Sequence, residues 1–251
     1  MNIIGNLFHL VLISNYGMTE LLYLKDCYLS EFEATVVDVN EDGVILDKTS
    51  FYPEGGGQPS DTGWIEWGQN KSRVTHVMKK NEEVYHIVSG ELPVKGTKIR
   101  GVIDWDKRYR YMRYHTALHI LAGVVYHLYN STITGSQISE DKARIDFTLE
   151  DLSKEKVEKI ESEANKIVEE GRNVNIKFIS REELVSNPQL IRIKPELIPD
   201  IPVLRIIEIE GFDAQLDGGT HVANTREVGR IKVLKTVNKG KFNKRLEIIL
   251  L

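Results

Sequence analysis

The stretch KRYRYMRYHTALHILAGVVYHLYN, residues 107–130, decides how the chain is read. Met112, Leu118, Leu121, Ala122, Val125 and Leu128 recur in it at helical spacing, which predicts a helix with an apolar stripe turned to a core. Upstream the pattern is different. ATVVDVNEDGVILD (34–47) sets two apolar runs around Asp42-Gly43, and THVMKKNEEVYHIVSG (75–90) repeats the scheme around Lys80-Asn81. Both are hairpin signals. KIRGVIDW (98–105) adds a strand. Short strands at close spacing, broken by Gly, Pro and Asn, predict a small antiparallel β-barrel.

Downstream of the helix, strands and helices mix. RIDFTL (144–149), NVNIKFIS (173–180) and IPVLRIIEIEG (201–211) read as strands, and residues 230–250 as a hairpin turning at 238–240. SKEKVEKIESEANKIVEEG (153–171) reads as a helix burying Val157, Ile160, Ala164 and Ile167, with Ser153 as N-cap and Gly171 as stop. SREE (180–183) is a capping box opening a short helix. The expected class is therefore α+β. A β-barrel domain over 18–105 precedes a two-layer domain over 106–251, in which helices pack on a mostly antiparallel sheet.

Residues 1–17, MNIIGNLFHLVLISNYG, hold an apolar run interrupted by Asn6 and His9, with no Lys or Arg before it. They read as an extension ahead of a compact protein opening at Met18, not as a membrane span. The single cysteine, Cys27, can form no internal disulfide; this fits a reducing compartment, the cytoplasm, and a passive small residue. With a net charge of −4, the chain as a whole is no polyelectrolyte binder, and any contact with RNA must be local.

Three features carry chemistry. FYPEGGGQPSDTG (51–63) has three consecutive glycines but no Gly-Lys-Ser/Thr ending, so it is not a phosphate-binding P-loop; a barrel loop and a substrate contact both fit. His115 and His119 stand one helical turn apart and share a face, the spacing at which two rings reach one ion. Spacing alone is weak evidence, since among seven histidines a chance i, i+4 pair is not rare and two ordinary imidazoles account for it. Thr116 follows His115 where a metalloprotease has its glutamate base, and the zinc deaminase pattern is also absent. The third feature is DAQLDGGTHVANTREVG (213–229). Asp217 and His221 flank Gly-Gly-Thr, a turn able to point both side chains inward.

Together, HTALHIL, TGSQISEDKARIDF (134–147) and DGGTHVANTREVG resemble the editing domain of alanyl-tRNA synthetases and its free-standing relatives, the AlaX proteins. LLYLKDCYL (21–29) and TSFYPEGGGQPSDTGWIE (49–66) are similar to the N-terminal region of the medium-length AlaX group, so the likeness spans nearly everything after Met18. It implies a trans-editing hydrolase that deacylates mischarged tRNA(Ala), chiefly Ser-tRNA(Ala), and makes 106–251 the editing domain. It also implies one zinc ion per chain, with His115, His119 and His221 matching family ligands. Asp217 stands where the family has cysteine. A carboxylate oxygen can bind zinc at about 2.0–2.2 Å, but the harder ligand set admits another divalent ion.

A metal ion there would lower the pKa of bound water to about 7 and polarise the ester carbonyl. Gln137 matches a glutamine of the family's editing pocket, and Gly55, Gly56, Gly57 and Gln58 match its glycine-rich motif, implied to lie near the substrate. Thr116 is placed to meet a serine hydroxyl, although it could equally cap or pack. Lys107, Arg108, Arg110 and Arg113, interleaved with tyrosines, suit the tRNA(Ala) acceptor end, with KGKFNKR (239–245) a weaker patch. His127 falls off the face of the histidine pair. Two alternatives stand beside this reading: a non-catalytic tRNA-binding protein of the same fold, and a metal hydrolase of small amino-acid esters.

Overall fold

The computed structural model describes residues 19–81, 83–191, 198 and 200–251. The expectations for residues 1–17 and for a start at Met18 lie outside them. The chain forms two compact units. One holds the described residues through Gly55, Pro59–Tyr109 and Ile201–Val203. The other holds Gly56–Gln58, the described residues of Arg110–Asp200, and Leu204–Leu251.

In the first unit, β1 (Glu20–Leu21) pairs in parallel with β4 (Lys48–Thr49). A closed barrel runs β2 (Glu31–Asn40), β3 (Gly43–Leu46), β7 (Glu83–Ser89), β6 (Asn70–Lys80), β5 (Gly63–Trp67) and β8 (Lys98–Ile103). Closure removes the exposed edges that short strands otherwise present. Alternate residues such as Phe32, Ala34 and Val36 of β2 are buried, the period-2 pattern of a strand with one face on a core. Both expected hairpins are present: Asn40 pairs with Gly43, one residue earlier than the sequence signal, and Lys80 pairs with Glu83.

Arg108 is wholly enclosed in this unit. Its guanidinium is paired with the Asp61 carboxylate and donates to Cys27 O at 3.0 Å and Ser50 O at 2.5 Å. Asp61 also accepts from the Tyr52 amide at 2.6 Å. Removing one partner of such a pair leaves an uncompensated buried charge, at a cost of roughly 3–5 kcal/mol.

The long helix α1 (Trp105–Tyr129) is enclosed all round over its middle: Met112, Ala117, Ile120, Leu121, Val124 and Val125 are buried although they point in different directions. An all-round apolar helix belongs inside a core. Leu128, expected on its stripe, is 40% exposed. β9 (Ile133–Ile138), β10 (Ala143–Phe147), β15 (Lys244–Leu250) and β14 (Ile231–Asn238) form an antiparallel sheet in the order β14-β15-β10-β9. Helix α2 (Lys154–Glu170) lies against β14 and buries Ile160, Ala164, Ile167 and Val168, while Val157 is half-buried.

Ser153 caps α2 by accepting from the Lys156 amide, and Gly171 ends it in the left-handed region at φ 67°. From α2, Asn165 bonds both the N–H and the C=O of Ile231 at 2.9 Å, and Glu161 accepts from the Val233 amide at 2.8 Å. The helix thus satisfies the outer edge of β14, where a bare strand would template aggregation. α3 (Arg181–Ser186) opens with the expected capping box. A second sheet has the order β11 (Val174–Ser180), β12 (Val203–Ile209), β13 (Asp213–Leu216). No helix of the described residues is long and apolar enough to cross a membrane.

Candidate metal centre

Two local structures build the site in the second unit. On α1, His115 and His119 stand one turn apart with ring centroids 5.2 Å from each other. The other source is the turn after β13. Asp217 bends it by accepting from the Gly219 amide at 2.5 Å, and Arg205 of β12 clamps it by donating to Asp217 O at 3.0 Å and Gly219 O at 2.8 Å. The second glycine is sterically required: a Cβ on Gly219 would stand 2.2 Å from His115 Cε1, whereas one on Gly218 would meet nothing within 4 Å.

The result is convergence. His221 lies 4.3 Å from His115 and 4.5 Å from His119, centroid to centroid. Asp217 Oδ1 is 3.5 Å from His115 Nε2 and 3.9 Å from His119 Nε2, and Oδ2 is 3.0 Å from His221 Nε2. One donor atom from each of the four residues falls within 4.8 Å of all the others. Burial, partly offset by the Asp217 charge, holds His115 down at about 4. Burial and the neighbouring His115 and His119 hold His221 well below its ordinary value. Burial pushes the Asp217 carboxyl up, but the charge interaction with His115 and hydrogen bonds from His119 and His221 outweigh it, so it lies well below the carboxylate range. Neutral His115 and His221 beside an ionised Asp217 are the protonation states that metal ligation needs, and three nitrogens with one oxygen form a donor set that suits a tetrahedral divalent ion.

The rings are also backed. His115 Nδ1 lies 2.9 Å from Gln58 Oε1, and His221 Nδ1 lies 3.1 Å from Thr116 Oγ1. Thr116 is fully buried and also accepts from the Val222 amide at 3.2 Å. Gln215 donates to His119 O at 3.2 Å. Arg205, Gln215 and Thr220 were not singled out by motif. Arg205 did carry a signal: a guanidinium inside the apolar run VLRIIEI must find buried partners.

The other expected residues separate. Gly57 has φ 86°, and a Cβ there would meet Ser136 O at 2.5 Å; its own carbonyl accepts from the Ile138 amide at 2.7 Å. Gly56 is also left-handed, and Gly55 O accepts from the Tyr52 hydroxyl at 3.0 Å. Gln137 is exposed on β9, its carbonyl accepting from Arg144 at 2.8 Å, and it takes no part in the histidine network. Arg110 is exposed near the Glu140 carbonyl, and Lys107 is half-buried. Arg113 donates to Val228 O at 2.9 Å. Arg108 is the correction. Held by Asp61 and two carbonyls inside the barrel unit, it is not presented to a phosphate, and that expectation is set aside. His127 stands outside the cluster, against Phe212 O at 3.0 Å, and Cys27 is buried.

The family model for class II (A) tRNA synthetases matches residues 18–107, and that for the threonyl and alanyl tRNA synthetase second additional domain matches residues 204–247. The chain is 46% identical over 234 residues to an alanyl-tRNA editing protein AlaX-M of Saccharolobus solfataricus, covering 91% of this chain and 98% of that one. It is 43% identical to the AlaX-M of Methanosarcina acetivorans over 93% of this chain and all of that protein. The alanine–tRNA ligase of Pyrococcus furiosus is 38% identical over 90% of this chain, which spans 25% of the ligase.

Proposed function

Because the chain belongs to the AlaX-M family of alanyl-tRNA editing proteins, we propose that it hydrolyses tRNA(Ala) charged with the wrong amino acid, chiefly serine. The observation that carries this is the convergence of His115, His119, Asp217 and His221, which we read as the seat of one zinc ion. The ion, when bound, supplies Lewis acidity toward the ester carbonyl and an acidified water.

The chain's own residues set the conditions. Asp217 contributes the one negative charge of the ligand set. Thr116 backs the His221 ring at Nδ1, and Arg205 holds the turn that carries Asp217. In the reaction, water oxygen bonds to the ester carbon, the bond to the terminal ribose breaks, and the proton that the water gives up passes to the ribose oxygen. The ester is already activated, so the absence of a glutamate after His115 is no obstacle.

Gly56 brings exposed backbone to the aminoacyl end, while Arg110 and Arg113, with Gln137 beside Arg144, meet the acceptor strand. The protein acts in the cytoplasm, where tRNA is charged. Deacylation of seryl- against alanyl-tRNA(Ala), with uncharged tRNA(Ala) as competitor, tests the reading. Faster turnover of the seryl ester and inhibition by the competitor are expected. Indifference to the competitor would favour a hydrolase of small esters.

A further inference from the structure

We infer that Gln58 is the positioning residue that fixes His115 in the tautomer able to ligate, and that the glycines before it serve to deliver this amide. The inference rests on the metal reading of the cluster.

Gln58 is 1% exposed. Its Oε1 stands 2.9 Å from His115 Nδ1 and 3.2 Å from the Thr220 amide nitrogen, and its Nε2 stands 2.8 Å from Thr220 Oγ1. A side-chain amide is ordinarily ambiguous, since oxygen and nitrogen can exchange places. Here the ambiguity is removed by chemistry. The Thr220 backbone N–H can only donate, so the Gln58 atom facing it must be the oxygen. That same oxygen faces His115 Nδ1, which must therefore carry the proton. A neutral imidazole protonated at Nδ1 keeps its lone pair on Nε2, and His115 Nε2 is the nitrogen turned toward Asp217.

The backing of His221 is of another kind. Thr116 Oγ1 is a hydroxyl, able to donate to Nδ1 or to accept from it. It tolerates either tautomer, whereas Gln58 tolerates one. The approach of Gln58 depends on the residue before it. Gly57 passes Ser136 O too closely for any side chain, in a left-handed conformation, and is tied to β9 through the Ile138 amide. The glycine-rich stretch thereby acts on the metal ligand from behind, a role that a motif reading as substrate contact does not contain.

Two measurements test this on the full chain. The first is long-range ¹H–¹⁵N correlation of the histidine rings in metal-free protein, above the histidine titration range. Wild type should show His115 protonated at Nδ1, and Gln58→Met should shift it toward the Nε2–H form. An Nε2–H ring in wild type, or an unchanged ring in Gln58→Met, would overturn the inference. This readout does not involve tRNA, so it stands or falls separately from the editing activity. The second is zinc titration against a chromophoric chelator. Gln58→Met should bind zinc ~10–100-fold more weakly. Gln58→Glu should recover most of that loss, because a carboxylate still accepts from both His115 Nδ1 and Thr220 N. Equal affinity of Gln58→Met and wild type, or no recovery in a folded Gln58→Glu, would contradict it.

Discussion

His86 in the barrel unit and His115 in the second unit are both enclosed imidazoles, and burial holds each at about 4. They differ in what their second nitrogen meets. His86 Nδ1 bonds Val44 O at 2.9 Å and Nε2 bonds Thr49 Oγ1 at 2.8 Å, so the ring is complete within the barrel. His115 is backed on one side by an amide and turns its other nitrogen toward a carboxylate shared with two more imidazoles. Burial and a depressed pKa are common to both. Convergence of lone pairs on one point distinguishes a site from a satisfied core residue.

The sharpest way to break this distinction is to remove one ring from each place. His119→Ala should lower deacylation of seryl-tRNA(Ala) by more than ~100-fold, beyond the range of residues that merely back a ligand, and abolish zinc binding while the fold persists. His86→Gln should leave zinc stoichiometry intact. Metal analysis and initial rates on both variants check the contrast.

The next effect is on stability. His86 is depressed in the folded state, so the unfolded chain binds the extra proton. The stabilisation is full above about pH 6.5 and is lost as the pH falls toward 4. Its size is roughly 3 kcal/mol at most. Chemical denaturation from pH 7.5 to 4.5 should show a shallower loss in His86→Gln, which keeps a donor and an acceptor but does not titrate; parallel curves would show that His86 contributes nothing to the slope.

Smaller and more local is the pair of turn glycines. Gly219→Ala should cut zinc affinity by ~10-fold or more, an outer-shell effect, because its methyl enters the His115 ring space. Gly218→Ala should change affinity by no more than about twofold, as at an open surface position. Equal effects in a zinc titration would remove the steric account of the turn. Asp217→Cys should retain or tighten zinc binding, since thiolate is the softer ligand; loss of metal would assign Asp217 another part.

Sequence alone went far where a single physical signal acted. Alternation and turn residues located the barrel hairpins, and i, i+4 spacing put His115 and His119 on one face. It was least informative where the reason was tertiary. β9 carries Gly135, Ser136 and Gln137, poor strand formers, and is a strand because it pairs with β10. Arg108 looked like part of a basic stripe because it stands with Lys107, Arg110 and Arg113 among interleaved tyrosines, and nothing local announces Asp61, distant in sequence, as its partner. Gln58 was legible as part of a motif but not as the residue behind His115, since that assignment needs the Thr220 amide in place.

The most direct test is the rate of seryl-tRNA(Ala) deacylation by protein stripped with a chelator and then restored with zinc. Loss on stripping and recovery with one equivalent of zinc per chain is the predicted result. Undiminished deacylation by protein shown to be free of metal would contradict the account.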